Sequence, residues 1–221
     1  AEVPDGLAFD LVDVPGNGEI TGHLDGIITL DLAETDDQHR GDLRRLLGEP
    51  FRTVIGHLRH EIGHYYWTRL VAQTDQITDF RQLFGDERQD YRASIEHHYT
   101  GGNDDWDPTT HVTAYAASHP LEDFAECFAH YLHILDALDT TDAHHLAISG
   151  HTGTTVQLLG DFNAILDTWR PIYTAINAVA ETLGTPAIYP FDPAGMVVDK
   201  LDFVHRQDTN HVARHQFYEF H

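Results

Sequence analysis

The sequence contains very little cysteine, methionine or lysine. Cys127 is its one cysteine, so these 221 residues can form no disulfide among themselves and no zinc ribbon built on cysteine ligands. They also contain no run of the roughly 18 to 20 apolar residues that a membrane-spanning helix requires. A disulfide scaffold and a helical membrane span are thereby excluded within this sequence.

Basic residues are scarce as well. The 13 lysines and arginines stand against 36 aspartates and glutamates, which gives a formal net charge of −23. A surface this acidic repels phosphate backbones and anionic lipid headgroups. The composition therefore disfavours nucleic-acid and membrane partners, and it leaves the oligomeric state open.

The first ten residues, AEVPDGLAFD, show neither the basic nor the apolar segment of a signal peptide. We therefore expect a cytoplasmic protein. Because the sequence starts with Ala1 rather than methionine, the question of whether a leader was removed ahead of this residue stays open.

Hydrophobic residues make up 41% of the chain and are spread along its length, which excludes wholesale disorder. Residues 7–32 alternate between apolar and polar positions and predict a small sheet, whereas later segments repeat at three- and four-residue steps. We expect one α+β domain over residues 1–206 and a polar C-terminal tail over 207–221. The predicted helices cover residues 51–73, 79–99, 120–138, 156–183 with a break near Pro171, and 194–205.

The residues that point to chemistry are His60-Glu61-Ile62-Gly63-His64, an H-E-x-x-H motif inside the first predicted helix. Residues four apart share a helix face, so His60 and His64 can direct ring nitrogens at one metal ion. Glu61 lies about 100° around the helix from His60 and can reach a metal-bound water instead. This arrangement is typical of metal-assisted hydrolysis, which needs neutral ligands, a carboxylate base and an open coordination position.

The helix predicted over residues 120–138 offers carboxylates to the same site. Glu122 and Glu126 lie one turn apart in a strongly apolar segment. Zinc held by two histidines commonly takes a carboxylate as its third protein ligand, and a ligand histidine donates its other N–H to an acid. The spacing favours Glu122 as the ligand and Glu126 as the orienting acid, but the sequence leaves the choice between them open.

Other interpretations compete with this site. The chain has 18 histidines, so His60 and His64 could be two surface residues of a histidine-rich helix, and the two glutamates could belong to a solvated acidic face. His57 lies four residues before Glu61 and could tune that base or contact a substrate, although a structural role is favoured. The absence of lysine or arginine beside the two glutamates favours the metal site.

Five segments resemble the bacterial family of zinc-binding metallopeptidases, in the family's order and over about residues 7–206. The resemblance implies a gluzincin, a zincin whose third ligand is glutamate. It implies His60 and His64 as ligands, Glu61 as the base and Glu122 as the third ligand. The segments are residues 21–37 (TGHLDGIITLDLAETDD), 56–67 (GHLRHEIGHYYW), 80–91 (FRQLFGDERQDY), 119–134 (HPLEDFAECFAHYLHI) and 175–205.

The resemblance also points to Tyr115, seven residues before Glu122. Some gluzincin-like proteins place a tyrosine there to hydrogen-bond the oxyanion, and a tyrosine that only packs is the alternative. Many family members carry an N-terminal cysteine-rich zinc ribbon that this sequence does not contain, and the residues after Gln207 have no recognised counterpart. Both differences leave targeting and substrate delivery open.

Together, these patterns predict a mostly helical, zincin-like α+β fold whose small N-terminal sheet packs on the active-site helix. Residues 26–32 are expected to form an edge strand for an extended peptide. The predicted function is a Zn²⁺-dependent peptidase acting on a peptide or protein substrate, with Glu61 as general base. The alternatives are a non-catalytic zinc-stabilised interaction module and a histidine-rich metal-binding protein. Glu61 favours hydrolysis, because a purely structural site has no use for a base.

Overall fold

A computed structural model describes residues 6–13, 21–36, 38, 41, 53–102, 106–148, 151–152 and 161–219, and it includes the side chains of all but 151–152 and 210–219. The chain is mostly helical with a small sheet near its N-terminal end, which confirms the predicted α+β class. Every helix within these ranges is too short or too polar to cross a lipid bilayer.

Three strands form the N-terminal sheet in the order β1-β3-β2: β1 is Ala8–Val12, β2 is Gly22–Leu24 and β3 is Ile27–Asp31. β1 runs parallel to β3, and β2 runs antiparallel to it. Asp25 and Gly26 join β2 to β3 with φ angles of 50° and 82°. This left-handed geometry is the one that an Asp-Gly hairpin turn adopts.

β3 is the central strand of the sheet, so the expectation that residues 26–32 form an edge strand is wrong. Ile28 and Leu30 alternate into the core, which suits a strand with a partner on each side. β2 is an edge strand instead, and no other strand of the described chain pairs with its outer side.

The first long helix, α1 (Val54–Leu70), begins where Thr53 accepts a hydrogen bond from the Gly56 backbone N–H at 2.9 Å. It ends three residues before the predicted boundary at residue 73, and the predicted start at residue 51 lies outside the described residues. The His23 ring of β2 meets Tyr65 of α1 edge to face at 6.0 Å. The sheet therefore packs on α1, as predicted.

The single helix predicted over residues 79–99 is wrong. Two short helices occupy this region, α2 (Ile77–Leu83) and α3 (Tyr91–His97), and a π-helical turn (His98–Gly102) follows directly. Gly85 has a φ of 103°, which no helix tolerates, and Asp90 then caps α3 by accepting a backbone N–H from its first turn. Residues 85–90 (GDERQD), which separate the two helices, contain no apolar residue, so the apolar period stops at the break.

The helix α4 (Pro120–Ala143) starts at the predicted proline and runs five residues past the predicted end at residue 138. Pro120 occupies the first turn, where its missing N–H costs nothing, and the His119 side chain caps the helix. Most of α4 is buried, so it forms the central helix of the core. A short antiparallel pair, β4 (Ala147–Ile148) and β5 (His151–Thr152), follows it.

The helix α5 (Phe162–Thr182) passes through Pro171 without ending, so the predicted break is wrong. The ring removes one backbone hydrogen bond. Leu166, Trp169 and Ile172 are buried on either side of it, and their packing holds both halves in one helix. The part of the prediction over residues 156–160 lies outside the described residues.

The last helix, α6 (Met196–Glu219), is longer than the predicted span of residues 194–205. Gln207 is 5% exposed and its side-chain amide donates to Gln76 Oε1 at 3.1 Å. The helix therefore crosses residue 207 without interruption. The division into a domain over 1–206 and a tail over 207–221 stays a prediction.

The one lysine of the sequence, Lys200, is buried between α6 and α4 with 1% of its surface exposed. Its ammonium group donates to Asp123 Oδ2 and to the Thr110 carbonyl oxygen, each at 2.6 Å. A buried charge needs such partners, because desolvation otherwise costs several kcal/mol, on the order of 3–5 when a partner is removed. This ion pair fixes α6 against the helix that carries Glu122.

Gly63 lies at a point of close approach between α1 and α4. A Cβ atom at this position would lie 2.9 Å from the Ala125 Cα and 3.1 Å from the Phe128 Cβ. Both neighbouring atoms are fixed to the backbone of α4 and cannot rotate away. The glycine at the fourth position of the H-E-x-x-H motif therefore permits the two helices to meet.

Replacing Gly63 by alanine is expected to lower the free energy of unfolding by about 1–3 kcal/mol, because α1 and α4 must separate to admit the methyl group. Urea denaturation followed by circular dichroism measures the change. Gly22→Ala is the control, since a Cβ at Gly22 meets no atom within 4 Å. Equal losses in the two variants would contradict the close approach.

Candidate metal centre

α1 directs two histidines toward the same point. His60 and His64 lie on consecutive turns, and their rings meet edge to face with centroids 4.8 Å apart. Their Nε2 atoms are 3.1 Å apart. The structure therefore brings together the two histidines of the H-E-x-x-H motif, with His60 buried and His64 half-buried.

Glu122 joins them from the facing helix α4. Its side chain is fully buried, and Oε2 lies 3.0 Å from His60 Nε2 and 3.4 Å from His64 Nε2. A tetrahedral zinc ion with ligands at about 2.0–2.1 Å separates its ligand atoms by about 3.3 Å. The observed separations lie within a few tenths of an ångström of that value, so this donor set fits a zinc ion. The assignment of the three residues as ligands stays a prediction.

Glu126 lies on the opposite side of the His60 ring. The Nδ1–H of His60 donates to Glu126 Oε1 at 2.7 Å, and the Thr113 hydroxyl donates to the other carboxylate oxygen at 2.8 Å. A carboxylate in this place fixes the ring with its Nε2 directed at Glu122 and His64, where a metal would bind. Of the two glutamates, Glu122 therefore has the geometry of a ligand and Glu126 that of an orienting acid.

The charged groups of the site stabilise one another. Burial disfavours the charged His60 ring, but hydrogen bonds with Glu122 and Glu126 outweigh it and raise the pKa of the ring well above its ordinary value. Burial also disfavours ionised Glu126, yet the hydrogen bond from His60 lowers its pKa to about 2. Likewise, the neighbouring His64 and His60 hold the pKa of Glu122 well below its usual range despite burial. Both glutamates are thus carboxylates at neutral pH, as metal ligation and ring orientation require.

Glu61 lies beside the three candidate ligands and is 6% exposed. Burial raises the pKa of its carboxyl group, but the hydrogen bond with His57 and the charges of His60 and His64 outweigh burial and lower it. The carboxylate is therefore ionised at neutral pH, which is the form that accepts a proton.

Tyr115, to which the sequence resemblance points, lies beside His60. Its ring centroid is 5.8 Å from that of His60. Burial, with the nearby Glu122 carboxylate, raises the pKa of the Tyr115 hydroxyl well above its ordinary value. The hydroxyl therefore stays protonated and can donate a hydrogen bond, although its role stays a prediction.

Tyr91 is a site residue that the sequence does not reveal. Its hydroxyl donates to Glu122 Oε1 at 2.8 Å, so it holds the carboxylate oxygen that faces away from the histidines. The tyrosine starts α3, 31 positions away from Glu122. No motif spacing links the two residues, and only the packing of α3 near the start of α4 brings them together. Thr113, which holds Glu126, escapes detection for the same reason.

The candidate site opens into a cleft of about 830 Å³, a volume typical of ligand-binding sites. Thr21, Gly22 and His23 of the β2 region line one wall. Among the described lining residues, the cleft contains no lysine or arginine. Aromatic and histidine side chains line much of the remainder, among them Trp67, Tyr99, Trp106, His130, His133 and Phe191.

Residues 1–207 match the protein family described as "Putative zinc-binding metallo-peptidase". An uncharacterized protein of Mycobacterium bovis and one of Mycobacterium tuberculosis are each 45% identical to the chain over 202 residues, which is 90% of this chain and 59% of the relative. The chain thus spans less than two thirds of these relatives. No solved structure matches it.

Proposed function

The chain belongs to this family of zinc-binding metallopeptidases, and on that premise we propose that it is a zinc-dependent peptidase of the gluzincin type. His60, His64 and Glu122 hold the zinc ion, and Glu61 acts as the general base. Peptides or proteins are the substrates. The observation that carries the proposal is the ionised Glu61 carboxylate beside three converging ligand atoms at the base of an open cleft.

A catalytic zinc site differs from a structural one in its number of protein ligands. Structural zinc sites are closed by four protein ligands, whereas catalytic sites use three and leave one position for water or substrate. The described residues bring three suitable ligand atoms together. The cleft adjoins the group, so a substrate can reach the remaining position.

The zinc ion, when bound, supplies a Lewis acid that lowers the pKa of a bound water toward about 7. Glu61 accepts a proton from the attacking water as the scissile carbonyl becomes tetrahedral, and it then gives that proton to the departing amine. The Tyr115 hydroxyl donates a hydrogen bond to the carbonyl oxygen as negative charge develops there. Glu126 keeps the His60 ring in place throughout.

β2 is the strand on which an extended substrate would lie. Gly22 and His23 of this strand line the cleft, and its outer side has no strand partner within the described chain. A peptide added there gains backbone hydrogen bonds along the edge. This assignment replaces the one made for residues 26–32 from the sequence.

Removing and restoring zinc tests the proposal. We expect the zinc-loaded protein to cleave members of a diverse peptide library, chelation to abolish cleavage, and added zinc to restore it. Mass spectrometry of the products locates the cleaved bonds. Apoprotein treated in parallel with magnesium is the control.

An enzyme dedicated to one substrate could cleave nothing in such a library, so a second measurement is needed. In the cobalt-substituted protein, acetohydroxamate should change the visible spectrum by binding at the open position of the metal. An unchanged spectrum together with no cleavage would overturn the proposal in favour of a closed, structural zinc site.

A further inference from the structure

A line of hydrogen-bonding side chains connects the N-terminal sheet with Glu61. It starts at Glu34, which lies in the short 3-10 helix Leu32–Thr35 directly after β3 and is 1% exposed. The Thr21 hydroxyl donates to Glu34 Oε1 at 2.6 Å, and His57 Nδ1 donates to Oε2 at 2.8 Å. Both oxygens of this buried carboxylate are therefore bonded, as burial of a charge requires.

The other ring nitrogen of His57 faces the candidate base. His57 Nε2 lies 3.4 Å from Glu61 Oε1, one helical turn further along α1. Carboxylate oxygens only accept hydrogen bonds, so a ring that bonds to both glutamates carries a hydrogen on each nitrogen. The ring thus bridges two carboxylates that come from different elements of the fold.

We propose that His57 is a positioning residue, which holds the Glu61 carboxylate in its catalytic orientation and is itself held by Glu34. This inference rests on the proposed function only in giving Glu61 the role of base. A glutamate side chain has several rotatable bonds, and a base acts only when it lies within hydrogen-bond reach of the proton, about 2.6–3.2 Å. A bond from a ring that is anchored at its far side removes much of that freedom.

The alternative is a purely structural role for His57. In that role the ring only connects α1 with the sheet region, through its hydrogen bond to Glu34. The two roles use different nitrogens: the structural role needs Nδ1 and Glu34, whereas the positioning role also needs Nε2 and Glu61. Variants that keep one bond and remove the other therefore separate them.

His57→Asn and His57→Gln form the matched pair. The asparagine amide nitrogen lies at about the position of Nδ1 and keeps the bond to Glu34, while the glutamine amide nitrogen lies near Nε2 and keeps the bond to Glu61. We expect His57→Asn to lower kcat by about 10- to 100-fold with KM and zinc content unchanged. We expect His57→Gln to retain kcat within about threefold of the wild type.

Equal losses of kcat in the two variants would overturn the proposal. A loss confined to KM, or loss of zinc from both variants, would do the same, because a merely structural residue produces those results. Unfolding in urea, measured for both variants, shows whether loss of the hydrogen bond to Glu34, and with it of stability, accounts for the difference in kcat.

A spectroscopic measurement tests the link without any turnover. In zinc-loaded protein with ¹⁵N-labelled histidine, we expect downfield, slowly exchanging N–H signals from both nitrogens of His57. Glu34→Gln should move the Nδ1–H signal and Glu61→Gln the Nε2–H signal. An Nε2–H signal whose chemical shift is unchanged in Glu61→Gln would refute the positioning role. If both signals respond but no peptide is cleaved and acetohydroxamate leaves the cobalt spectrum unchanged, the proposed function fails while the link stands.

Discussion

Replacing Glu61 by glutamine is expected to leave the zinc content unchanged and to reduce peptide turnover by at least about 100-fold. The two side chains have nearly the same shape, and Glu61 is not one of the three converging ligand residues. Glutamine, however, cannot accept the proton of the attacking water. The measurement is kcat on a cleaved peptide at saturating zinc, with zinc per chain determined by elemental analysis.

Glu181→Gln provides the matched control, because Glu181 is an exposed residue of α5 and lies outside the cleft. It should change neither turnover nor zinc content. A fully active Glu61→Gln enzyme would refute the assignment of the base, and loss of zinc from this variant would place Glu61 among the ligands.

Replacing Glu122 is expected to remove most of the zinc. Wild-type protein purified without a histidine tag should hold about one zinc ion per chain, and Glu122→Ala should lose it or bind it far more weakly. Two histidines remain in the variant, but the carboxylate that joins them from α4 is gone. Elemental analysis after dialysis against a weak chelator gives the zinc content.

Glu122→Gln keeps the volume of the buried side chain, so its zinc content separates loss of a ligand from collapse of the core. Glu126→Gln is the second comparison and should weaken zinc binding by about 10- to 100-fold without abolishing it, as changes behind a ligand histidine do. If Glu126→Gln lost more zinc than Glu122→Gln, the two residues would exchange roles, with Glu126 as the ligand and Glu122 as the orienting acid. Wild-type protein that takes up no zinc would make the H-E-x-x-H motif an accident of a histidine-rich chain.

The parts of the site that share one helix are predictable from the sequence. His60, Glu61 and His64 lie within a turn and a quarter of α1, so helical periodicity alone places them. Glu122 and Glu126 share a face of α4 in the same way. The choice between these two glutamates depends on how α1 and α4 pack, because it depends on which His60 nitrogen each one meets.

Apart from Tyr115, to which the family resemblance points, residues that contribute singly from other elements escaped prediction. Tyr91 and Glu34 reach the site only through the placement of α3 and of the 3-10 helix after β3. Errors in the fold have a similarly local origin. Gly85 begins a polar stretch that separates two short helices and that the prediction of one long helix did not take into account. Pro171, by contrast, lies in a helix whose buried face is strong enough to retain it.

Because Lys200 is buried, its reaction with amine reagents depends on a motion of the protein. Reagents that acylate primary amines find one lysine side chain in the sequence, and in the folded chain its nitrogen is bonded to Asp123 and Thr110 beneath the surface. Acylation at Lys200 thus requires α6 to move away from α4. Its rate therefore reports the transient opening of the helix pair that supports Glu122, and it does so without any introduced label.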